Sequence, residues 1–316
     1  MTKRPVRIKR THNQIANAIK EEARLRGIEP NDAYNQFFRE VFLNGLMQKQ
    51  QKKNKGWVLK GGTNVYCRIP GARQTKDLDL YRHIDPTSAL KASELLVEAM
   101  DGHRAGPYTF QLERTMRSTM AGPVENEQVT VTVLYGASNE FAKFNIDVSG
   151  DLVVSGAVEE VTARASFGVI TEFLPQSYCV PSYPVENQLA DKVAAMFDRY
   201  GETPPGKAST RYHDFFDIAL IASNLPANAD ALSRALEEQG KLRGMQLPSR
   251  MAEPEPDWGR RYEEKAIKLG WGSGELRGFE EALAVAGRLL DPVLANDPSI
   301  HDGVWDPAES AWKTEN

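Results

Sequence analysis

The run Lys76-Asp77-Leu78-Asp79-Leu80-Tyr81 sets two acids into an apolar stretch at a spacing of two. Read as a strand, it turns Leu78 and Leu80 to a core and projects Asp77 and Asp79 side by side from the other face. Acids are depleted in strands. Two like charges ~4 Å apart also repel by roughly 4 kcal/mol at the effective dielectric of a protein surface. Either this is an exposed edge strand or a cation relieves the repulsion, and hard oxygen ligands of this kind suit Mg²⁺ or Mn²⁺. Upstream, the short apolar strand Trp57-Val58-Leu59 runs into Lys60-Gly61-Gly62-Thr63. A strand–Gly-Gly–helix junction exposes main-chain N–H groups that suit phosphate oxygens, and glycine admits a ligand close to the backbone. The same composition also makes a plain structural turn. It is not a Walker loop, because no G-x-x-x-x-G-K-[ST] occurs.

A third acid follows at a distance. In residues 141–149, Phe144, Ile146 and Val148 alternate with Asn145 and Asp147, so Asp147 is an acid facing out of the core. An ordinary surface acid is the bland alternative. Three carboxylates on neighbouring strands can hold two metal ions roughly 3.5–4 Å apart, one activating an attacking hydroxyl and one stabilising a leaving pyrophosphate. The combination points to metal-dependent phosphoryl or nucleotidyl transfer.

The periodicities frame this site. Residues 11–27 and 33–52 read as helices, with Asn31 or Asp32 as a possible N-cap after Pro30. Thr63 starts a helical segment that Pro70-Gly71 ends, residues 76–81 form the acid-bearing strand, and residues 86–100 form an amphipathic helix burying Leu90, Leu95, Leu96 and Met100. From residue 108 to 154 the pattern is β, with short extended pieces to 184. From Val185 it is helical: residues 185–200, 210–223, 230–240, 258–269 and 275–290. Residues 201–209 and 244–257 read as exposed loops, and the last twenty residues, with Trp305 and Trp312, show no clear element. Together these imply an α+β chain of two domains, 1–182 and 183–316.

A length of 316 residues allows a large core. The formal charge of -4 neither demands nor excludes nucleic acid. Basic clusters stand at Lys3, Arg4, Arg7, Lys9 and Arg10 and at Lys52, Lys53, Lys55 and Lys60; they read equally as solvated segments or as polyanion contacts. Cys67 and Cys179 lack metal-ligand spacing, which fits a reducing, cytoplasmic setting. No apolar run approaches the ~18 residues of a membrane span, and no apolar stretch follows the basic N-terminus as in a signal peptide.

In the helical half, Lys192 and Arg199 are seven apart on one predicted helix, and Arg211 and Asp214 three apart on the next. They are either surface pairs, each worth under ~1 kcal/mol, or a set with Lys192 and Arg211 facing a triphosphate and Asp214 orienting Lys192. The five histidines form no metal spacing, and no nucleophile elbow occurs.

Four blocks in register, Leu59-Lys60-Gly61-Gly62-Thr63, Arg73-x-Thr75-Lys76-Asp77-Leu78-Asp79-Leu80, Ile146-Asp147-Val148 and Tyr183-Pro184-Val185-Glu186-x-x-Leu189-Ala190-Asp191-Lys192 running on to Arg211-Tyr212-His213-Asp214-x-x-Asp217-Ile218, resemble the AbiEii/AbiGii-type toxins, nucleotidyltransferases of the DNA polymerase β-like superfamily, akin to MenT-type tRNA nucleotidyltransferase toxins. The resemblance spans residues 35–222. It implies a mixed sheet with flanking helices, plus a helical C-terminal lobe closing an active-site cleft. It implies Asp77, Asp79 and Asp147 as ligands of Mg²⁺ or Mn²⁺, Lys60, Gly61, Gly62 and Thr63 as the nucleotide cradle, and Lys192, Arg211 and Asp214 completing the site. It further implies transfer of a nucleoside monophosphate from an NTP to an RNA 3′ hydroxyl, tRNA above all, blocking translation, and a cognate antitoxin. Transfer onto a protein side chain, or a catalytically inactive nucleotide-binding module, are the alternatives. Asp191 stands where the family usually has Glu, and His213 where it often has Lys; the second change removes a permanent charge.

Overall fold

Thr11 and Gln14 form a reciprocal capping box at the start of α1 (His12–Arg26), and Gly27 ends the helix in the left-handed region at φ 64°. Pro30 opens α2 (Pro30–Lys52) at its first position, where its missing N–H costs nothing. Asn31 and Asp32 therefore lie inside the first turn and do not cap it, which corrects the sequence reading. The computed structural model describes residues 8–52, 56–69, 71–83, 88–118, 125–150, 152, 154–201, 206–271 and 274–314. Lys3, Arg4, Arg7, Lys53, Lys55, Pro70 and Pro86 lie outside them, as does the side chain of Lys52. Two units emerge, one from residues 1–68, 74–152 and 160–182, the other from 69–73, 153–159 and 183–316.

The first unit is built on a mixed eight-stranded sheet. Its strands are β1 (Trp57–Lys60), β2 (Leu78–Arg82), β3 (Arg104–Ala105), β4 (Tyr108–Ser118), β5 (Asn126–Tyr135), β6 (Asn139–Ser149), β7 (Glu159–Arg164) and β8 (Ser177–Ser182), in the order β3-β4-β5-β6-β2-β1-β8-β7. β2 runs antiparallel to β1 and parallel to β6. α3 (Gly61–Arg68) links β1 to β2, and α4 (Ala89–Met100), capped by Ser88, follows β2. α2 and α4 pack against the strands. Phe37, Phe38, Phe42, Leu96 and Met100 meet Phe110, Val131, Phe144 and Ile146 there in one buried core. The strict alternation along β5 and β6 leaves Thr130, Asn145 and Asp147 on the opposite, half-buried face. Leu90 is exposed, contrary to its expected place in the core. No described helix is long and apolar enough to cross a membrane.

The second unit is helical: α5 (Val185–Phe197), α6 (Tyr212–Asn224), α7 (Ala229–Arg243), α8 (Trp258–Leu269) and α9 (Phe279–Leu294). Asp198 is extended, so α5 ends there, and Arg199 falls instead in a small hairpin, β9 (Arg199–Tyr200) with β10 (Lys207–Ala208). Lys192 and Arg199 thus do not share a helix. The 244–257 connection is not wholly exposed, because Met251 is buried and its N–H donates to Asp291. The C-terminal residues form a hairpin, β11 (Val304–Asp306) with β12 (Ala311–Lys313), where no element was expected. Its tryptophans anchor it: Trp305 donates to the Ala222 carbonyl and Trp312 to that of Leu289.

One core group of the first unit titrates. Glu40 on α2 is buried beside Tyr66, Cys67 and Tyr178 around a cavity of about 30 Å³. Ser166 donates its N–H to the Glu40 carboxylate at 3.0 and 3.2 Å, and its hydroxyl donates as well. Burial nevertheless pushes the Glu40 carboxyl up to about 7. A carboxyl whose pKa is higher folded than unfolded binds its proton more tightly in the folded state. Its contribution is therefore complete below about pH 4.5 and is lost as pH rises through 7. The expected loss is about 3 kcal/mol. Urea unfolding of wild type and Glu40→Gln at pH 5 and pH 8 checks this: the fall in stability between the two pH values should be smaller in the variant by about that amount.

Candidate active site

The pairing of four strands lines up the first unit's candidate residues. Lys60 on β1 is opposite Asp79 on β2, Asp79 is opposite Asp147 on β6, and Asp147 is opposite Gln128 on β5. Directly paired residues share a face of the sheet, so Lys60, Asp79, Asp147 and Gln128 form one row across it. Gln128 Nε2 donates to Asp147 Oδ1 at 3.3 Å. Burial raises the Asp147 carboxyl above its ordinary range; the Gln128 hydrogen bond opposes this and the Asp77 charge adds to it.

α3 begins at Gly61, two residues before the expected start at Thr63, and Gly61 has φ 64°. A Cβ on Gly61 would lie 1.9 Å from Asp79 Oδ2 and 2.5 Å from its Cγ. The backbone at Gly61 is thus packed against the Asp79 carboxylate more closely than any side chain permits. Gly62 and Thr63 continue the first turn of the helix.

Asp77 is placed differently from the sequence reading. β2 begins at Leu78, so Asp77 is an exposed residue just before the strand and does not alternate with Asp79 within it. Hydroxyls hold it there. Thr63 Oγ1 and Thr75 Oγ1 lie 3.0 and 2.8 Å from the Asp77 carbonyl oxygen and 2.9 Å from each other. Arg39, on α2, donates to the Thr75 and Lys76 carbonyls at 2.7 and 2.8 Å.

The donor set of this face fits a divalent cation: carboxylates on adjoining strands, one of them seated against a glycine where a Cβ would overlap it, and a further acid at the strand entrance. Asp77, Asp79 and Asp147 do not all come within 4.8 Å of one another. Among the described residues the group that does is Asp230, His301 and Asp302 in the second unit, which is partly to fully exposed.

In the second unit, Lys192 on α5 is buried and its ammonium donates to Asp214 Oδ1 and Asp217 Oδ2, both on α6 and both at 2.7 Å. Arg73 grips Asp217 with two hydrogen bonds of 2.9 and 2.7 Å. Arg211 precedes α6 at its N-cap position, outside the helix where it was expected, and its Nη1 donates to Asp214 Oδ2 at 3.4 Å. Burial alone would raise the Asp214 carboxyl; the Lys192 charge overrides it and holds the group far below the usual carboxylate range. Burial would likewise lower the Lys192 pKa, yet the two carboxylates raise it, so the lysine is charged. Burial keeps His213 below its ordinary value, so at neutral pH it supplies no cation.

The Lys192–Asp214 hydrogen bond brings together two residues that the sequence offered either as surface pairs or as one set. Asp217 and Arg73 were missed, although both stand in the quoted motifs. An acid between Phe216 and Ile218, on an apolar helical face, was the available signal for Asp217. Gln128 and Arg39 carried none, because polar residues of a strand face or a long helix do not announce their partners.

Removing one partner from such a buried set leaves a charge unpaired. Asp217→Asn is expected to lower unfolding stability by about 3 kcal/mol, measured by urea titration, since Lys192 loses one of its two carboxylate partners and Arg73 loses the carboxylate it grips.

No curated protein matches the chain. MenT4, a nucleotidyltransferase toxin from Mycobacterium tuberculosis H37Rv, has a similar structure, with a TM-score of 0.51 at 17% identity over 90% of this chain and 98% of that one. JHP933 from Helicobacter pylori aligns with a TM-score of 0.42 at 16% identity, over 84% and 94%. The α+β fold with a mixed sheet is the one anticipated. The family profile of the nucleotidyl transferase AbiEii toxin of type IV toxin–antitoxin systems matches residues 45–285, which takes in both units' candidate residues. With most of its length inside that match, the chain belongs to the AbiEii nucleotidyltransferase toxins.

Proposed function

We propose that this nucleotidyltransferase moves a nucleoside monophosphate from an NTP to the 3′ hydroxyl of an RNA, with tRNA as acceptor, in a reaction dependent on Mg²⁺ or Mn²⁺, and that this blocks translation until a cognate antitoxin intervenes. The observation that carries the reading is the row Lys60–Asp79–Asp147–Gln128 with the Gly61 backbone packed on Asp79. Asp77, Asp79 and Asp147 are the residues that would hold the cation, and when bound it neutralises charge on the phosphates and lowers the pKa of the attacking hydroxyl.

The chain's own groups do the rest. The N–H groups of the first turn of α3, at Gly61, Gly62 and Thr63, point to phosphate oxygens. Lys60, next in the row, supplies a cation beside them. Asp147 accepts the proton of the attacking hydroxyl on Oδ2, the oxygen that Gln128 does not engage. The acceptor oxygen bonds to the α-phosphorus as the bond to pyrophosphate breaks. In the second unit Lys192 commits two of its three N–H donors to Asp214 and Asp217. Lys192, Arg211 and Arg73 carry one positive charge more than Asp214 and Asp217 neutralise. We assign Lys192 and Arg211 to the nucleotide's phosphates, with Asp214 holding Lys192 in place. The basic residues Lys3, Arg4, Arg7, Lys9 and Arg10 support a polyanionic acceptor, although Arg10 is paired with Glu172.

Incubation with each of the four α-labelled NTPs, Mg²⁺ and total tRNA is expected to label tRNA with at least one nucleotide. Label on protein instead would move the acceptor to a side chain, and no label in any reaction would overturn the reading. Asp79→Ala should lower the labelling rate by about 10²-fold or more. Gly61→Ala should do nearly the same, because its methyl group displaces the Asp79 carboxylate. Gly71→Ala provides the comparison: it also has positive φ, 87°, but a Cβ there meets nothing within 4 Å. It is expected to cost about 1 kcal/mol of backbone strain and to leave transfer unchanged.

A further inference from the structure

Asp77 stands before its strand, ahead of the register that pairs β2 with β6. What holds it is a clamp from outside the sheet. The Thr63 and Thr75 hydroxyls fasten its carbonyl oxygen. The guanidinium of Arg39 spans the two preceding carbonyls, those of Thr75 and Lys76, with a planar fork that fits two acceptors at once.

Arg39 is a costly choice for that task. It is 9% exposed, and burying a cation forfeits its hydration. No carboxylate lies within ion-pair distance of it among the described residues; Glu40, Asp77 and Asp32 act on it only through space. A neutral donor would serve two carbonyls with less desolvation. The guanidinium adds a fixed positive potential beneath the acid, together with a geometry that an amide or an ammonium cannot reproduce.

We propose that Arg39 is a positioning residue for metal binding: it holds residues 75–77 so that the Asp77 carboxylate is presented beside Asp79 and Asp147 to a divalent cation. The inference rests on the transfer reading for the role of Asp77 as a ligand, and Arg39 itself touches neither cation nor nucleotide.

The test measures Mn²⁺ affinity by calorimetry, with no nucleotide or acceptor present, for wild type, Arg39→Lys and Arg39→Met, alongside kcat and KM for NTP in the transfer assay. Near-ultraviolet circular dichroism reports the folded fraction. Arg39→Met should weaken Mn²⁺ binding five- to tenfold and lower kcat at least tenfold, with KM for NTP within twofold of wild type. Arg39→Lys keeps the charge and one hydrogen bond and should fall between the two. If Arg39→Met does not fold, Arg39→Lys decides alone: weakening of twofold or more supports the proposal, and wild-type affinity overturns it. Wild-type Mn²⁺ affinity in a folded Arg39→Met, or an effect confined to KM for NTP, would also overturn it. A wild-type protein that binds Mn²⁺ but labels no acceptor retires the transfer reading, while the ranking of Mn²⁺ affinities still decides the role of Arg39.

Discussion

The contact between the Gly61 backbone and the Asp79 carboxylate is the constraint on which the first unit's site depends. β1 pairs with β2 so that Lys60 faces Asp79, and the chain must leave that pairing at once to begin α3. It does so through a positive φ and with an oxygen of Asp79 where a side chain would otherwise sit. The helix therefore starts immediately above the carboxylate, and N–H donors and acid are brought together without any loop of their own. A longer connection would make the same groups available but would have to order them anew each time, at roughly 1–2 kcal/mol per residue.

The two units handle buried charge in different ways. In the second, Lys192, Asp214, Asp217 and Arg73 satisfy one another through short hydrogen bonds, which is how a cluster this deeply buried is tolerated. In the first, burial raises the Asp147 carboxyl above its ordinary range, with the Asp77 charge adding to it against the Gln128 hydrogen bond.

How much of this was readable from the sequence depends on the range of the interaction. The alternation along β5 and β6 and the helical stripe of α5 are local, and all three elements appeared nearly where expected. The strand face carrying Asp147 was local too. The strand start at Leu78, not Lys76, was not, because it is decided by pairing with distant strands: β1 ends at Lys60, opposite Asp79, and the register with β6 begins at Leu78 and Ile146. Arg199 was misplaced because the turn at Asp198 outweighs the helical pattern around it, and the Arg199 guanidinium donates to the Gly206 carbonyl across the hairpin. The C-terminal hairpin was invisible because its strands are short and its fixing contacts, Trp305 to Ala222 and Trp312 to Leu289, span long sequence separations. For the same reason Gln128 and Arg39 gave no signal.

The path of the backbone has a consequence for how such a protein can diversify. The chain passes from one unit to the other after residues 68, 73, 152, 159 and 182. Neither unit is therefore a continuous gene segment. A recombination joint at residue 182 would take Asp217 from one parent and Arg73 from the other, and likewise Asn187 and the Ser155 and Gly156 amides it accepts from. Helical halves can be traded between lineages only if both parents already agree at those short inserted stretches, so the two units are bound to change together.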